Sequence, residues 1–310
     1  MLSRVADSLF WMSRYMERTD GILRMLKINY ASSQDDINDF SWNPVLRIFS
    51  YLDEERAATI AAQSRVVLQY MITDKENRNS VLNIVTRARE NARSVQDHIT
   101  KELWQCLNDF YHTIRDEQAG KVLHKDDPMI ILDELIKQGM LYYGITDITM
   151  SRGEGYAFIN IGKFLERGVQ SADILDIKFS DVHYDFTRAD TTYWKYLLLS
   201  ISGYELYLKT YRSGFDAKNV VEQIVLNEDF PRSVIYSVNQ LYRYFERLKG
   251  ERNKEGYRAI DFMLGKIRSK VKYSTVDSIL QQGLHSYLNE VKTDLYEVGN
   301  AFNQHYFAYT

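Results

Sequence analysis

Residues 80–108 read SVLNIVTRARENARSVQDHITKELWQCLN, and their apolar positions decide the class of fold. Apolar side chains recur there every three or four residues, at Val81, Val85, Ala88, Ala92, Val95 and Ile99. This spacing predicts one long amphipathic helix that begins after Ser80 and packs its apolar stripe against a core. The helical pattern continues to about residue 115.

The next positions on this stripe are Glu102 and Cys106, so the prediction places a carboxylate where a core residue should lie. Burying a carboxylate is costly unless it is paired or hydrogen-bonded. Three alternatives follow: the stripe drifts and Glu102 reaches solvent, an arginine of another helix pairs with Glu102, or burial prepares it for acid–base chemistry. On the same helix, Glu90, Arg93 and Asp97 have the spacing of surface ion pairs.

Helical spacing of apolar residues extends over most of the 310-residue chain, and only three prolines interrupt it. Asp127 followed by Pro128 is typical of a helix start, with a capping aspartate before proline at the first helical position. Neither strand alternation nor a flexible linker is evident. We therefore predict an all-α fold, a bundle of about ten helices that forms a single domain over residues 1–310.

Two Glu-Arg pairs, Glu17-Arg18 and Glu166-Arg167, lie 149 positions apart, and a basic residue precedes each of them, Arg14 in one case and Lys163 in the other. Several apolar positions around the pairs also match. We therefore predict a pseudo-repeat with halves 1–125 and 126–310 and the two pairs in related environments. A helical wheel turns Glu17 away from the apolar arc of its helix, either as a surface pair or as the lining of a groove.

Composition excludes several classes of function. The net charge of −3 gives no electrostatic basis for binding nucleic acid. No stretch approaches the roughly 20 apolar residues that span a bilayer, and charges such as Arg4 and Asp7 interrupt the N-terminal segment. The single cysteine, Cys106, cannot form an internal disulfide. We expect a cytoplasmic protein that binds neither nucleic acid nor membrane.

Motifs for cofactors and metals are also missing. The sequence contains no phosphate-binding loop, no dinucleotide fingerprint and no nucleophile elbow. The Glu-x-x-His pairs of di-iron bundles do not occur, and Asp109 with His112 offers only one pair of ligand spacing. We therefore predict no cofactor and no metal, and we interpret Cys106, on a buried stripe, as unreactive.

Four segments together resemble the alpha-E family of bacterial all-helical proteins. They are MLSRVADSLFWMSRYMERTD (1–20), RARENARSVQDHITKELW (87–104), GYAFINIGKFLERG (155–168) and DFPRSV (229–234). The ordered motifs span most of the chain. The sequence departs from the family where Gln96 and Lys163 replace arginines, and lysine would be a weaker substitute in a bidentate contact.

The resemblance implies a helical fold and a set of partners. Such proteins are typically encoded beside, or fused to, a circularly permuted ATP-grasp protein and a transglutaminase-like protease, which suggests ATP-dependent synthesis and processing of amide or peptide bonds. The candidate functional or ion-pair residues that match the family motifs are Arg14, Glu17, Arg18, Arg89, Glu90, Asn91, Arg93, Glu102, Glu166, Arg167 and Arg232.

Three functional hypotheses remain open from the sequence. The first is an accessory protein that binds an ATP-grasp-type ligase or its peptide product. The second is an enzyme that uses buried carboxylates for acid–base chemistry on a peptide or amide. The third is a structural bundle that forms homo-oligomers, which would expose a large apolar face on its C-terminal helices. A cleft lined by the carboxylates would favour the enzyme, whereas pairing by arginines would favour architecture.

Overall fold

The computed structural model describes residues 1–34, 41–188, 191–212, 214–249 and 254–307, with side chains omitted for 117–119 and 254. The described residues form sixteen α-helices and no strand, which confirms the all-α class and corrects the predicted number of helices. The helices are α1 (Ser3–Ser32), α2 (Asn43–Phe49), α3 (Glu54–Ala61), α4 (Ser64–Ile72), α5 (Val81–Ser94), α6 (Lys101–Arg115), α7 (Glu117–Lys125), α8 (Pro128–Thr149), α9 (Glu154–Asp181), α10 (Thr191–Ser200), α11 (Tyr204–Thr210), α12 (Ala217–Val225), α13 (Val234–Phe245), α14 (Lys254–Lys272), α15 (Val276–Gln282) and α16 (Leu284–Phe302). Single 3₁₀ turns follow α5 at Gln96–His98 and α13 at Glu246–Leu248, and a π-helical turn, Asn303–Phe307, follows α16.

The segment 80–108, whose apolar pattern predicted the class of fold, belongs to two helices. Helix α5 begins after Ser80, whose side chain accepts a hydrogen bond from the backbone N–H of Asn83, and it ends at Ser94. Val95 then leaves the helical conformation (φ −130°, ψ 28°). Helix α6 starts with its own cap, because the Thr100 side chain accepts from the backbone N–H of Leu103. The prediction of one unbroken helix is therefore wrong, although the intervening residues include neither glycine nor proline.

Similar short breaks raise the number of helices elsewhere. A short break separates α10 from α11, and Ser202 between them adopts a left-handed conformation (φ 56°). Helix α7 is a further short helix, and it lies between α6 and α8 in the sequence. The predicted start at Asp127 is confirmed, because its carboxylate accepts a hydrogen bond from the backbone N–H of Met129, with Pro128 at the first helical position.

The chain divides into two compact units. Unit 1 consists of residues 1–14 and 152–310, and unit 2 of residues 15–151. The predicted single domain and its pseudo-repeat remain predictions. Among the described residues, no helix combines the length and the apolar character needed to cross a membrane.

Unit 1 is built around α9, which is buried along most of its length and packs against α12, α13 and α16. The N-terminal part of α1 approaches α9 closely at Gly162. A Cβ at that position would lie 2.3 Å from the backbone carbonyl oxygen of Phe10, so only glycine permits this approach.

Unit 2 is centred on α5, α6 and α8, with α6 packed between the other two. The part of α1 in this unit is tied to α8 by an ion pair between Lys27 and Asp133, whose Nζ and Oδ1 atoms are 2.5 Å apart. Helices α4 and α7 contact each other, and α7 also contacts α6 and α8.

Candidate functional site

The two Glu-Arg pairs named above differ from other such dipeptides because they bury their glutamates. The sequence contains Glu-Arg five times, beginning at Glu17, Glu55, Glu166, Glu246 and Glu251, of which the last lies outside the described residues. Glu17 and Glu166 are buried, whereas Glu55 and Glu246 are exposed. Because a buried carboxylate needs hydrogen bonds to be tolerated, these two glutamates mark specific contacts inside the protein.

In unit 1, Arg14 of α1 pairs with Glu166 of α9. The Nε and Nη2 atoms of Arg14 each lie 2.8 Å from Oε2 of Glu166. The Arg14 guanidinium also stacks over the ring of Trp11, 4.5 Å from its centroid. The side chains of Arg14 and Glu166 are only 10% and 2% exposed, so this is a buried ion pair. The two partners come from the two copies of the motif. Arg14 precedes the first Glu-Arg pair, and Glu166, 152 positions further along the chain, belongs to the second.

In unit 2, Glu17 and Asp20 are two buried carboxylates one turn apart on α1. Tyr143 of α8 donates its hydroxyl proton to Oε2 of Glu17 over 2.6 Å. Arg24 donates from Nε to Oδ2 of Asp20 over 2.9 Å. Burial lowers the pKa of Arg24, but the charge and hydrogen bond of Asp20 outweigh that effect, so the pKa of Arg24 is raised.

The arginine-rich part of α5 forms a partly exposed network on α6. Arg89 donates from Nε to the side-chain oxygen of Asn108 over 2.9 Å, and its guanidinium lies over two aromatic rings of α6. Glu90 accepts from Arg89 at 2.9 Å and pairs with the exposed Arg93 at 2.6 Å. Asn91 is half-buried between them along the helix. The predicted pairing of Glu90 with Arg93 is therefore confirmed, and such exposed pairs stabilise a protein by only about 0–1 kcal/mol.

The remaining motif arginines are half-buried. Arg18 lies in unit 2, next to Glu17 in the sequence. In unit 1, Arg167 donates from Nη1 to the carbonyl oxygen of Pro231 over 3.2 Å. One turn further along α9, Ser171 donates its hydroxyl to the carbonyl oxygen of Arg232 over 2.7 Å. The structure thus brings together the second Glu-Arg pair and the DFPRSV segment, two of the motifs that carried the family resemblance.

Glu102 does not occupy the position that the apolar stripe predicted for it. It lies in the first turn of α6 and is exposed. Helix α6 buries Leu103, Cys106, Leu107 and Phe110, so its buried face has drifted and Glu102 lies beside it. The interpretation of Glu102 as a buried carboxylate is wrong, and the alternative in which it reaches solvent is confirmed.

Cys106 is buried, as its position on the stripe predicted. Burial raises the pKa of its thiol to about 11, and the nearby charge of Asp109 adds to this effect. Asp109 itself accepts a hydrogen bond from Gln105. Within the described parts of the chain, no group of three or more His, Cys, Asp or Glu side chains is arranged to hold a metal ion.

A second, partly buried network in unit 1 escaped the sequence analysis. Asp176 of α9 accepts hydrogen bonds from the Tyr184 hydroxyl at 2.8 Å and from Lys292 Nζ at 3.1 Å, and its Oδ1 lies 2.9 Å from His285 Nδ1. Lys292 also pairs with Asp173 at 3.1 Å. Burial raises the pKa of Asp173, which Lys292 offsets only in part. Asp173 and Asp176 lie three residues apart among the apolar residues of the segment ADILDI (172–177). This spacing is the sequence signal that could have found the network.

A surface pocket of about 500 Å³ in unit 2 is lined by residues that include Tyr30, Arg65, Lys125 and Asp127, and none of the eleven candidate residues lines it. The candidate residues therefore fall into several local networks, most of which join one helix of a unit to another.

The family comparison agrees with the motifs. A family model named Alpha-E, described as a predicted alpha-helical domain with a conserved ER motif, matches residues 1–307. Two curated relatives, an uncharacterized protein of Mycobacterium bovis and one of Mycobacterium tuberculosis, are each 23% identical to this chain over 318 residues. The alignments cover 93% of this chain but only 34% of each relative, so the chain spans about a third of their length. No solved structure matches the chain.

Proposed function

Because the chain belongs to the Alpha-E family, we propose that it is an accessory protein which binds an ATP-grasp-type peptide or amide ligase, or the product of that ligase. In this proposal the glutamates of its two buried Glu-Arg pairs hold helices together and do not act on a substrate. A transglutaminase-like protease is the second partner that the family resemblance suggests.

The observation that carries the proposal is that both glutamates already accept hydrogen bonds from other side chains of the same chain. Glu166 accepts two hydrogen bonds from Arg14, and Glu17 accepts one from Tyr143. A general acid or base must reach the proton that it transfers in a bound substrate. Carboxylates that are 0% and 1% exposed and already bonded within the fold meet that requirement poorly. The pairing of a buried glutamate with an arginine is the feature that the sequence analysis expected of an architectural role.

The length of the relatives supports a role beside another protein. In both mycobacterial relatives the matching region is about a third of a longer chain. A region that occurs joined to further protein is suited to act on, or with, what it is joined to.

The test is reconstitution with the ATP-grasp protein encoded nearest to this chain in its own genome. The two proteins are co-expressed with a tag on one of them, and the purified sample is measured by light scattering after gel filtration. We expect a complex of defined stoichiometry and, in the same preparation, ATP turnover that depends on the ligase. Separate elution of two folded proteins, with ligase activity unaffected by this chain, would refute the proposal.

Variants of the buried glutamate separate architecture from chemistry. Glu166→Gln should lower the stability of the chain but leave the complex and its ATP turnover intact at a temperature where the variant is folded. Glu102→Gln, at an exposed position, is the matched control and should change neither property. Loss of turnover in folded Glu166→Gln, with the complex intact, would favour the enzyme hypothesis instead.

A further inference from the structure

The RARENAR segment of α5 (87–93) plays no part in the proposed function, which gives a role to the buried glutamates of α1 and α9. Its arginines lie at or near the surface of unit 2, where the side chains of Arg89 and Arg93 are 21% and 63% exposed. Ion pairs between exposed side chains contribute little to stability. Stability alone therefore does not explain three arginines within this short segment.

A line of residues on α6 extends this basic surface. They recur every three or four positions and so lie along one side of the helix, at Lys101, Trp104, Asn108, Tyr111 and Arg115. Arg89 reaches this line, because its Nε donates to the side-chain oxygen of Asn108 over 2.9 Å. Its guanidinium carbon lies 5.4 Å from the centroid of the Trp104 ring and 4.7 Å from that of Tyr111. Since residues seven positions apart on a helix are separated by about 10.5 Å, the guanidinium lies between the two rings.

Side chains of both helices thus form an arginine–aromatic strip, which consists of Arg89, Arg93, Lys101, Trp104, Tyr111 and Arg115. Arg89 uses Nε and Nη1 within the chain, and Arg115 donates from Nη1 to the Tyr111 hydroxyl over 2.9 Å. In the part of the chain that the structure describes, no oxygen accepts a hydrogen bond from Nη2 of either arginine. Because the two rings hold Arg89 in place, an anion can bind it at little further cost in side-chain order.

The strip also carries an excess of positive charge. It contains four basic side chains, and within the described residues Glu90 is the one carboxylate that pairs with any of them. Oε1 of Glu90 accepts from Arg89 at 2.9 Å, and Oε2 lies 2.6 Å from Nη2 of Arg93. A single carboxylate thus bridges two arginines, and further carboxylates can bind the remaining donors in the same way.

We propose that the arginine–aromatic strip binds an acidic segment of a peptide in an extended conformation. Carboxylates of the peptide bind Arg89, Arg93 and Arg115, and its apolar groups pack on Trp104 and Tyr111. Trp104 and Arg115 are separated by about 16 Å along α6, a distance that about five extended residues cover. The inference rests on the proposed function, because the segment belongs to the ligase or to its peptide product.

The surroundings of the strip favour a peptide over a larger polyanion. Glu102 and Asp109 are exposed on the neighbouring side of α6, and the whole chain has a net charge of −3. These charges repel a nucleic acid or an anionic membrane, both of which would extend beyond the strip. A single extended peptide fits within it, and the planar guanidinium group matches a carboxylate with two parallel hydrogen bonds.

Fluorescence anisotropy of a labelled hexaglutamate peptide, titrated with the full chain at about 50 mM salt, tests the proposal. We expect saturable binding with a Kd below about 1 mM and no binding of a hexaglutamine peptide. Arg93→Gln and Arg115→Gln should each weaken binding about two- to fivefold. The variant with both substitutions should weaken it about tenfold, because the two positions are far enough apart for their effects to add. Arg258→Gln, at an exposed position of α14 in unit 1, is the matched control and should leave the Kd unchanged.

The variant Glu90→Gln separates binding from a purely structural role of the arginines. It removes the internal carboxylate that pairs with Arg89 and Arg93. The affinity for hexaglutamate should therefore rise about two- to fivefold, whereas a role in packing alone predicts no gain. Circular dichroism checks that each variant is folded.

Three results would overturn the proposal. They are no binding of hexaglutamate up to about 1 mM, an effect of Arg258→Gln equal to that of the strip variants, and tighter binding of a labelled oligothymidylate of the same length. The titrations use this chain alone, so their failure leaves the proposed ligase complex untouched.

Discussion

The buried ion pair between Arg14 and Glu166 can be tested by removing either partner. Arg14→Met keeps much of the volume of the side chain but removes the guanidinium that donates twice to Oε2 of Glu166. The carboxylate is 2% exposed, so water cannot replace those hydrogen bonds. Breaking a buried pair from one side typically costs about 3–5 kcal/mol. We expect a loss of that size in the free energy of unfolding.

Removing the other partner should cost less. In Glu166→Gln the Arg14 guanidinium keeps its position over the Trp11 ring and is still 10% exposed. A cation over an aromatic ring gains about 0.5–2 kcal/mol, so part of the stabilisation of Arg14 survives. We expect Glu166→Gln to destabilise the protein by about 1–3 kcal/mol. The variant Arg14→Met/Glu166→Met removes both polar groups and should be more stable than Arg14→Met alone.

The assay is urea unfolding followed by circular dichroism, with a thermal melt of each variant. Unit 1 has roughly 170 residues, a size at which 1 kcal/mol shifts Tm by about 2–4 °C. Arg14→Met should therefore lower the Tm of this unit by about 6–20 °C. If Arg14→Met cost less than about 1 kcal/mol, or if Arg14→Met/Glu166→Met were no more stable than Arg14→Met alone, Arg14 and Glu166 would not form a coupled buried pair.

Three further predictions concern other parts of the chain. Gly162→Ala should destabilise the protein by about 3 kcal/mol or more in a urea titration, because its Cβ would lie 2.3 Å from a backbone carbonyl oxygen. Gly265→Ala is the control, and it should lose no stability because the space around Gly265 is open. Tyr143→Phe removes the 2.6 Å hydrogen bond to Glu17 and should cost about 1.5–3 kcal/mol, so an unchanged urea midpoint would contradict the role given to that bond. Burial raises the pKa of Cys106 to about 11. Its alkylation by iodoacetamide at about pH 8 should therefore be at least about 100-fold slower in the folded protein than in urea. Equal rates would show that this thiol is accessible.

The fold class could be predicted from the sequence because helical periodicity is a local property. The spacing of apolar residues and the scarcity of proline both act over a few turns, and the start at Asp127 depends on its immediate neighbours. The number of helices could not be predicted in this way. Thr100 caps α6, and Ser202 turns the chain in a left-handed conformation, yet neither is a strong helix breaker. An unbroken apolar stripe can therefore conceal a break, and it does not show that the buried face drifts past Glu102.

A helical wheel could not predict that Glu17 is buried either. The wheel places Glu17 away from the arc of Met12 and Met16 and assumes that only one side of a helix is covered. Helix α1 is instead buried on several sides, so that polar residues such as Ser13 and Thr19 are as inaccessible as the methionines. When a helix lies inside the protein, its polar positions no longer indicate the direction of solvent.

Pairs of acidic residues on buried helices give a more reliable signal. Glu17 and Asp20 are three residues apart on α1, and Asp173 and Asp176 have the same spacing on α9. Two carboxylates on one buried face repel each other and lose hydration, so the fold must bring a cation to them. In both cases it does, but Arg24 lies four positions from Asp20, whereas Lys292 lies 116 positions from Asp176. Such a pair therefore predicts that a basic side chain is present, while the packing of the helices decides which one it is.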